Sequence, residues 1–316
     1  MKIFHTILFI IISLISVFLL SSCEIIANDD EEITVTYVYG DHTESKTEHV
    51  LPLGFVRPDN PTRDGYVFVG WCTDKELTDF HSFSEPLKKS ITLYAKWDID
   101  YDYLIEKITD EALLSSVKVE GYTGNIFNPK KNTGSGVIVS IEDGRYYALT
   151  NAHVVKNSED SLTVYKVFDA YANEYAAELE YFNAEYDLAL LSFIKRSDIE
   201  LRVAKIDERS PSKDEAVITV GSPAGKFNCY SFGNVLNYKT VEMNFDYAYS
   251  DIDFAVLWTD CYANHGSSGG AVYDTDLELI GIIFAIANEQ SGEFKFSFAV
   301  PSNKINEFLV LAKASV

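Results

Sequence analysis

Basic residues are scarce in this 316-residue chain. Lys and Arg number 26 against 48 Asp and Glu, which leaves a formal charge of −22. A nucleic-acid binder must offer cations to phosphates, so the composition argues against that partner. The same deficit disfavours electrostatic docking on anionic lipid headgroups. Cysteine is sparse too, and four thiols do not build a disulfide scaffold. With Cys23 at the end of an apolar segment, only Cys72, Cys229 and Cys261 remain, enough for one intramolecular bridge at most. No CxxC pair and no Cys/His cluster occurs, so no zinc site of the usual spacing is expected. No motif calls for a metal or another cofactor. The apolar run from Ile7 to Leu20, broken only by Ser13 and Ser16, is too short to span a bilayer comfortably. What remains is 47% hydrophobic and 14% aromatic, the composition of a globular chain. Its length suits two domains, or one large domain with an appendage.

The short apolar run fits the core of a signal peptide. Leu20-Ser21-Ser22-Cys23 follows it and resembles the bacterial lipoprotein processing box. The resemblance implies a signal over 1–22, removed before Cys23, whose acylation would hold the protein at a membrane. An ordinary secretory signal or an uncleaved anchor are the alternatives. Residues 23–32, half of them acidic, read as a solvated linker. The expected location is the extracytoplasmic face of a bacterial cell membrane, reached through lipidated Cys23.

Residues 33–98 alternate apolar and polar positions in short runs separated by turn signals. The runs 33–39, 66–71 and 91–97 are rich in β-branched and aromatic residues and predict strands. The string PTRDGYVFVGW followed by ITLYAKW resembles the internalin-B B-repeat, or Listeria–Bacteroides repeat. That likeness implies a small β-grasp-like module and supplies no catalytic residue. His42, His49 and His81 have no carboxylate or thiol at a telling spacing, and Cys72 reads as a small buried hydrophobe.

Residues 101–316 carry the chemistry. A helical pattern runs over 100–117 and another over 302–314, and between them lie many short strand-like runs. Antiparallel barrels or sandwiches follow from strands at that frequency. Three sites stand out. Thr150-Asn151-Ala152-His153 comes directly after the strand YYALT, and Asp187 opens the apolar strand LALLSF. A carboxylate buried there needs a partner, and His153 suits, since the pairing fixes the imidazole tautomer. The third site, His265-Gly266-Ser267-Ser268-Gly269-Gly270, has glycines enough to aim a hydroxyl outward while neighbouring N–H groups converge. Each is ambiguous alone. Their order, His then Asp then Ser, is that of a chymotrypsin-type triad.

Around these residues GSGVIVS, TNAHVV, YDLALL, GSPAG, HGSSGGAVYD and FAVPSNKINEFL resemble trypsin-like serine proteases of the HtrA type. The resemblance implies a mainly β fold of two antiparallel six-stranded barrels, chymotrypsin-like, with N- and C-terminal helices. It implies peptide-bond hydrolysis with Ser268 as nucleophile, His153 as general base and Asp187 as the orienting carboxylate. Gly266 and Ser268 would supply the oxyanion-hole N–H groups. Tyr262 would sit at the base of the primary specificity pocket, and Ile283, Phe284 and Ala285 along the edge that pairs with substrate. No acid stands at the Tyr262 position, so an apolar pocket is expected, with nearby Asp260 leaving an opening for a basic preference. Polypeptides are the expected substrates, and a homo-oligomer is possible from the likeness.

Three departures stand out. Ser267 replaces the family's usual Asn or Asp before the nucleophile, and His265 stands where Pro is frequent. The likeness also stops short of the PDZ domains that HtrA proteins usually carry, so control by such a domain is not expected. A catalytically inactive surface-binding or adhesion lipoprotein that works through the repeat module is the alternative to a membrane-anchored protease.

Overall fold

The computed structural model describes residues 33–40, 45–51, 53–125, 128–155, 163–240 and 252–315. Cys23 with the whole segment 1–32, and His42, lie outside these residues. The chain divides into two compact units, one ending at Ile99 and the other beginning at Asp100.

The first unit is a four-stranded mixed sheet. Its strands are β1 (Ile33–Val38), β2 (Lys46–Val50), β3 (Tyr66–Cys72) and β4 (Ile91–Ile99), in the order β2-β1-β4-β3. The central pair, β1 and β4, is parallel, and the outer pairings are antiparallel. Along β1 every second residue is buried, the two-residue period of a strand with one face on a core. Ile33, Val35, Tyr37, Trp71, Leu93 and Ala95 form that core, with Cys72 fully buried beside them in sequence. The strand β2 escapes the sequence pattern because KTEHV is largely polar and exposed.

In the second unit a helical run opens the chain. It consists of α1 (Tyr101–Lys107), a π-helical turn over Ile108–Ala112 and a last turn α2 (Leu113–Ser115). Asp100 caps it, accepting a hydrogen bond from the Tyr103 N–H at 3.1 Å. Leu104, Ile108 and Ala112, four residues apart, face the core. The helix stops two residues short of its expected end, since Ser116 already begins a strand.

Twelve strands then form two closed barrels. The first contains β5 (Ser116–Asn125), β6 (Asn128–Glu142), β7 (Arg145–Thr150), β8 (Val164–Phe168), β9 (Glu174–Asn183) and β10 (Leu188–Ile194), in the order β10-β7-β6-β5-β8-β9. The second contains β11 (Ala216–Gly221), β12 (Cys229–Thr240), β13 (Ala255–Thr259), β14 (Ala271–Tyr273), β15 (Leu279–Asn288) and β16 (Phe294–Pro301), in the order β11-β12-β13-β16-β15-β14. The fold is mainly β, as the strand frequency implied. Each barrel has its own interior, with Val119, Ile138 and Phe193 inside one and Val217, Leu257 and Ile280 inside the other.

A third core lies on the seam between the barrels. Val137, Leu149 and Leu188 meet Ile218, Val220, Phe284 and Val300 there. The terminal helix, which follows the short helical turn α3 (Ala152–Val155) in our numbering and is therefore α4 (Ser302–Ser315), adds Ile305 and Phe308. Burying this apolar surface at about 25 cal/mol per Å² holds the two barrels in register. That register is what brings distant residues together.

Candidate active site

His153 sits on α3, the single helical turn after β7, and not at the strand end itself. The turn matters because it frees the His153 backbone N–H to point at a side chain. Asp187 stands immediately before β10 with φ 49°, a left-handed conformation that Asp tolerates better than most residues. Its side chain is fully buried. One carboxylate oxygen, Oδ2, lies 2.8 Å from His153 Nδ1, and the other accepts the His153 N–H at 3.0 Å. The Asp187 carbonyl accepts from the Asn151 side-chain amide at 2.8 Å and from the Ala152 N–H at 3.2 Å. The imidazole and the carboxylate are thus fixed by four contacts. A neutral ring bonded to a carboxylate through Nδ1 carries its proton there and presents Nε2 as a base.

Ser268 comes to the same place from the other barrel. Its carbonyl accepts the Ser135 N–H of β6 at 2.7 Å. Gly134, next to Ser135, is hemmed in by both partners of the site. A Cβ there would meet Val154, the neighbour of His153, at 2.7 Å and Ser268 O at 3.0 Å. Only glycine lets α3 and the serine loop come this close. Among the described residues no hydrogen bond joins Ser268 Oγ to the His153 ring, which is common before substrate tightens such a site.

The loop around Ser268 is ordered peptide by peptide. The carbonyl of His265 accepts from Ala224 N–H at 2.6 Å, that of Gly266 from Ser135 Oγ at 2.7 Å, and that of Ser267 from Gly270 N–H at 2.8 Å. Among the described residues no peptide bond is cis, so each N–H here points opposite its bonded carbonyl. The N–H groups of Ser267, Gly269 and Gly270 find acceptors in Asn264, Ile283 and Ser267. Those of Gly266 and Ser268 find none among the described residues. Two unclaimed donors, one on the serine itself and one two residues before it, are what a developing oxyanion requires. Ser267, the unusual residue here, has its hydroxyl on the Asn264 N–H at 3.1 Å and so braces the loop from within. His265 is exposed, its ring outside this bonding scheme.

Beside the loop lies a cleft of about 270 Å³ lined by Tyr262, Asn264, Ser267, Ile283, Lys226 and Cys229, among others. Of the four residues expected along the substrate, Tyr262 and Ile283 line it. Phe284 packs into the seam core, with half-buried Ala285 against it. Thr219, Lys226, Ser231 and Asn264 add polar groups to its lining. Asp260 does not line it, being occupied by the Asn234 N–H of β12. Cys229 and Cys261 are both free thiols, and burial pushes the Cys261 thiol up to about 12. Among the described residues no cluster could hold a metal ion.

Residues 134–282 match the trypsin-like peptidase domain family, and 33–96 match the Listeria-Bacteroides repeat domain. The second unit is, over 134–282, similar to trypsin-like peptidase domains. It is similar to serine protease HTRA1B of Danio rerio, 29% identical over 212 residues that cover 66% of this chain and 41% of that protein. A serine protease Do-like HtrA of Bacillus subtilis is 33% identical over 180 residues, covering 56% of this chain and 38% of its own. The solved structure of an HtrA-type protease with a tripeptide superposes with a TM-score of 0.52 at 25% identity, over 65% of this chain and 62% of that one. The chain spans about two-fifths of the length of these two curated relatives.

Sequence reasoning singled out His153, Asp187 and Ser268 through their flanking motifs, and the structure joins the first two directly. It passed over Ser135 and Asn151, which support them. Ser135 lies within the quoted GSGVIVS and Asn151 within TNAHVV, so the signal was present, but nothing local says what either residue touches.

Proposed function

We propose that this chain is a serine endopeptidase that hydrolyses polypeptides through an acyl-enzyme. Ser268 Oγ attacks the scissile carbonyl while His153 Nε2 takes its proton. Asp187 holds the ring and stabilises the imidazolium that forms. The carbonyl oxygen, now an oxyanion, lies on the N–H groups of Gly266 and Ser268. His153 then gives its proton to the leaving amine, the C–N bond breaks, and water releases the acyl group by the same steps in reverse. The observation that carries this reading is the double hold of buried Asp187 on His153 beside a loop that leaves the N–H groups of Gly266 and Ser268 unclaimed among the described residues.

The place of action belongs to the same proposal. Acylated Cys23 would tether the protease to the outer face of a bacterial cell membrane, with polypeptides there as substrates and self-association a possibility drawn from its relatives. The inactive adhesion alternative gains no observation of its own.

A fluorophosphonate probe tests the chemistry without a guess at the substrate. The full chain should label at Ser268, and Ser268→Ala should lose both labelling and turnover, by roughly a millionfold in turnover, with its melting profile unchanged. Labelling that survives the substitution would sink the assignment. Cys23→Ala should move the protein from the membrane fraction to the soluble one, and continued membrane retention would remove the lipid anchor from the proposal.

A further inference from the structure

Ser135 belongs to the first barrel, yet all its polar atoms serve the second barrel's serine loop or the strand beside it. Its N–H bonds Ser268 O at 2.7 Å, and its carbonyl accepts Thr150 Oγ1 at 2.7 Å. Its hydroxyl donates to Gly266 O at 2.7 Å and accepts the Ser222 N–H at 2.7 Å. The residue is fully buried, so neither hydroxyl bond has water as a substitute.

The position of that hydroxyl in the loop is telling. Three successive peptides link His265 to Ser268, and the outer two carry the unclaimed N–H groups of Gly266 and Ser268. The middle peptide is clamped at both ends, its N–H by Asn264 O at 2.8 Å and its carbonyl by Ser135 Oγ. The carbonyl anchors of the outer peptides are backbone N–H groups, Ala224 and Gly270. Ser135 is therefore the one carbonyl anchor of the three that is a side chain. Gly266 sits at φ +92°, with no Cβ to limit its rotation. Without the hydroxyl, the carbonyl of half-buried Gly266 loses its donor among the described residues, and the shortest way to satisfy it is to turn the loop.

Resting on the reading of the site above, we infer that Ser135 is a positioning residue for the oxyanion hole. Through Gly266 O it sets the direction of both N–H donors, and through Ser222 it ties them to the turn that holds His265. It touches neither substrate nor the reacting atoms. Its removal should therefore weaken binding of the tetrahedral state and leave ground-state peptide binding intact. A single lost oxyanion donor costs about 100- to 1,000-fold, so a displaced pair should cost on the order of 100-fold.

The test compares the wild-type full chain with Ser135→Ala on three readouts. These are steady-state cleavage of one peptide, the affinity of the matching peptide boronic acid, and the affinity of the corresponding product peptide. The boronate becomes tetrahedral on Ser268 and fills the oxyanion position, whereas the product peptide does not. The inference expects kcat and boronate affinity to fall together by about 100-fold, with KM and product affinity within about twofold. Equal loss on all three readouts would reduce Ser135 to a structural residue, and no loss on any would overturn the inference outright. Should the alanine variant fail to fold, Ser135→Cys keeps a weaker donor at the same place and should show the same split in smaller measure. A wild-type chain that neither cleaves nor binds the boronate would bring down the protease reading itself, and this inference with it.

Discussion

Asp187 holds His153 at two points, one oxygen on the ring nitrogen and the other on the same residue's backbone N–H. The pairing joins residues 34 apart in the chain and leaves the carboxylate with no contact with solvent. A buried charge survives only where such contacts replace its lost hydration.

Asp187→Asn keeps the shape and most of the packing of this pair. The amide nitrogen that replaces one oxygen would face either the His153 N–H or the Nδ1 proton, and the ring can escape the second clash by moving its proton to Nε2. That tautomer cannot accept from Ser268. We expect kcat to fall by about four orders of magnitude, as in the general case of this triad, with substrate binding little changed. A loss below tenfold would mean the ring is not the base.

Gly269→Ala probes the close approach of the barrels. Gly269 has φ +87°, and a Cβ there would lie 2.0 Å from Ser135 O, a backbone atom that cannot step aside. The strained dihedral costs about 1–3 kcal/mol by itself, and the clash adds to it. Thermal unfolding should shift down by several degrees and probe labelling at Ser268 should vanish. Unchanged labelling would show that the loop tolerates displacement.

Glu120 provides an acid-dependent prediction away from the site. Burial alone would raise its carboxyl, but Lys131, Tyr122 and Lys118 donate to it and hold it down at about 2, below its ordinary 4.5. A depressed carboxyl stabilises the fold above its unfolded value, and that stability fades as pH falls from 4.5 toward 2. Its full size is on the order of 3 kcal/mol. Glu120→Gln should be markedly less stable than wild type at pH 7, and the gap should close toward pH 2 in urea titrations. A gap that stays constant across that range would refute the account.

How much of this was legible in the residues themselves depends on where the stabilising contacts come from. The strands LALLSF and LIGIIFAI announce themselves because both faces are buried, so nearly every residue is apolar. β9, EYAAELEYFN, does not, since nine of its ten residues are exposed or half-exposed and charge interrupts the alternation. The three candidate residues His153, Asp187 and Ser268 stood out because each sits in a short, distinctive motif. Ser135 was not, because its hydroxyl bond reaches a residue 131 positions away. Local sequence carries no record of such a contact.

The seam between the barrels has a further meaning. His153 and Asp187 stand on one side of it, Ser268 and its loop on the other, and each barrel also encloses a buried cluster of its own. On the proposed reading, a slight parting at this seam would separate the base from the nucleophile. Probe labelling at Ser268 would then report on the union of two scaffolds.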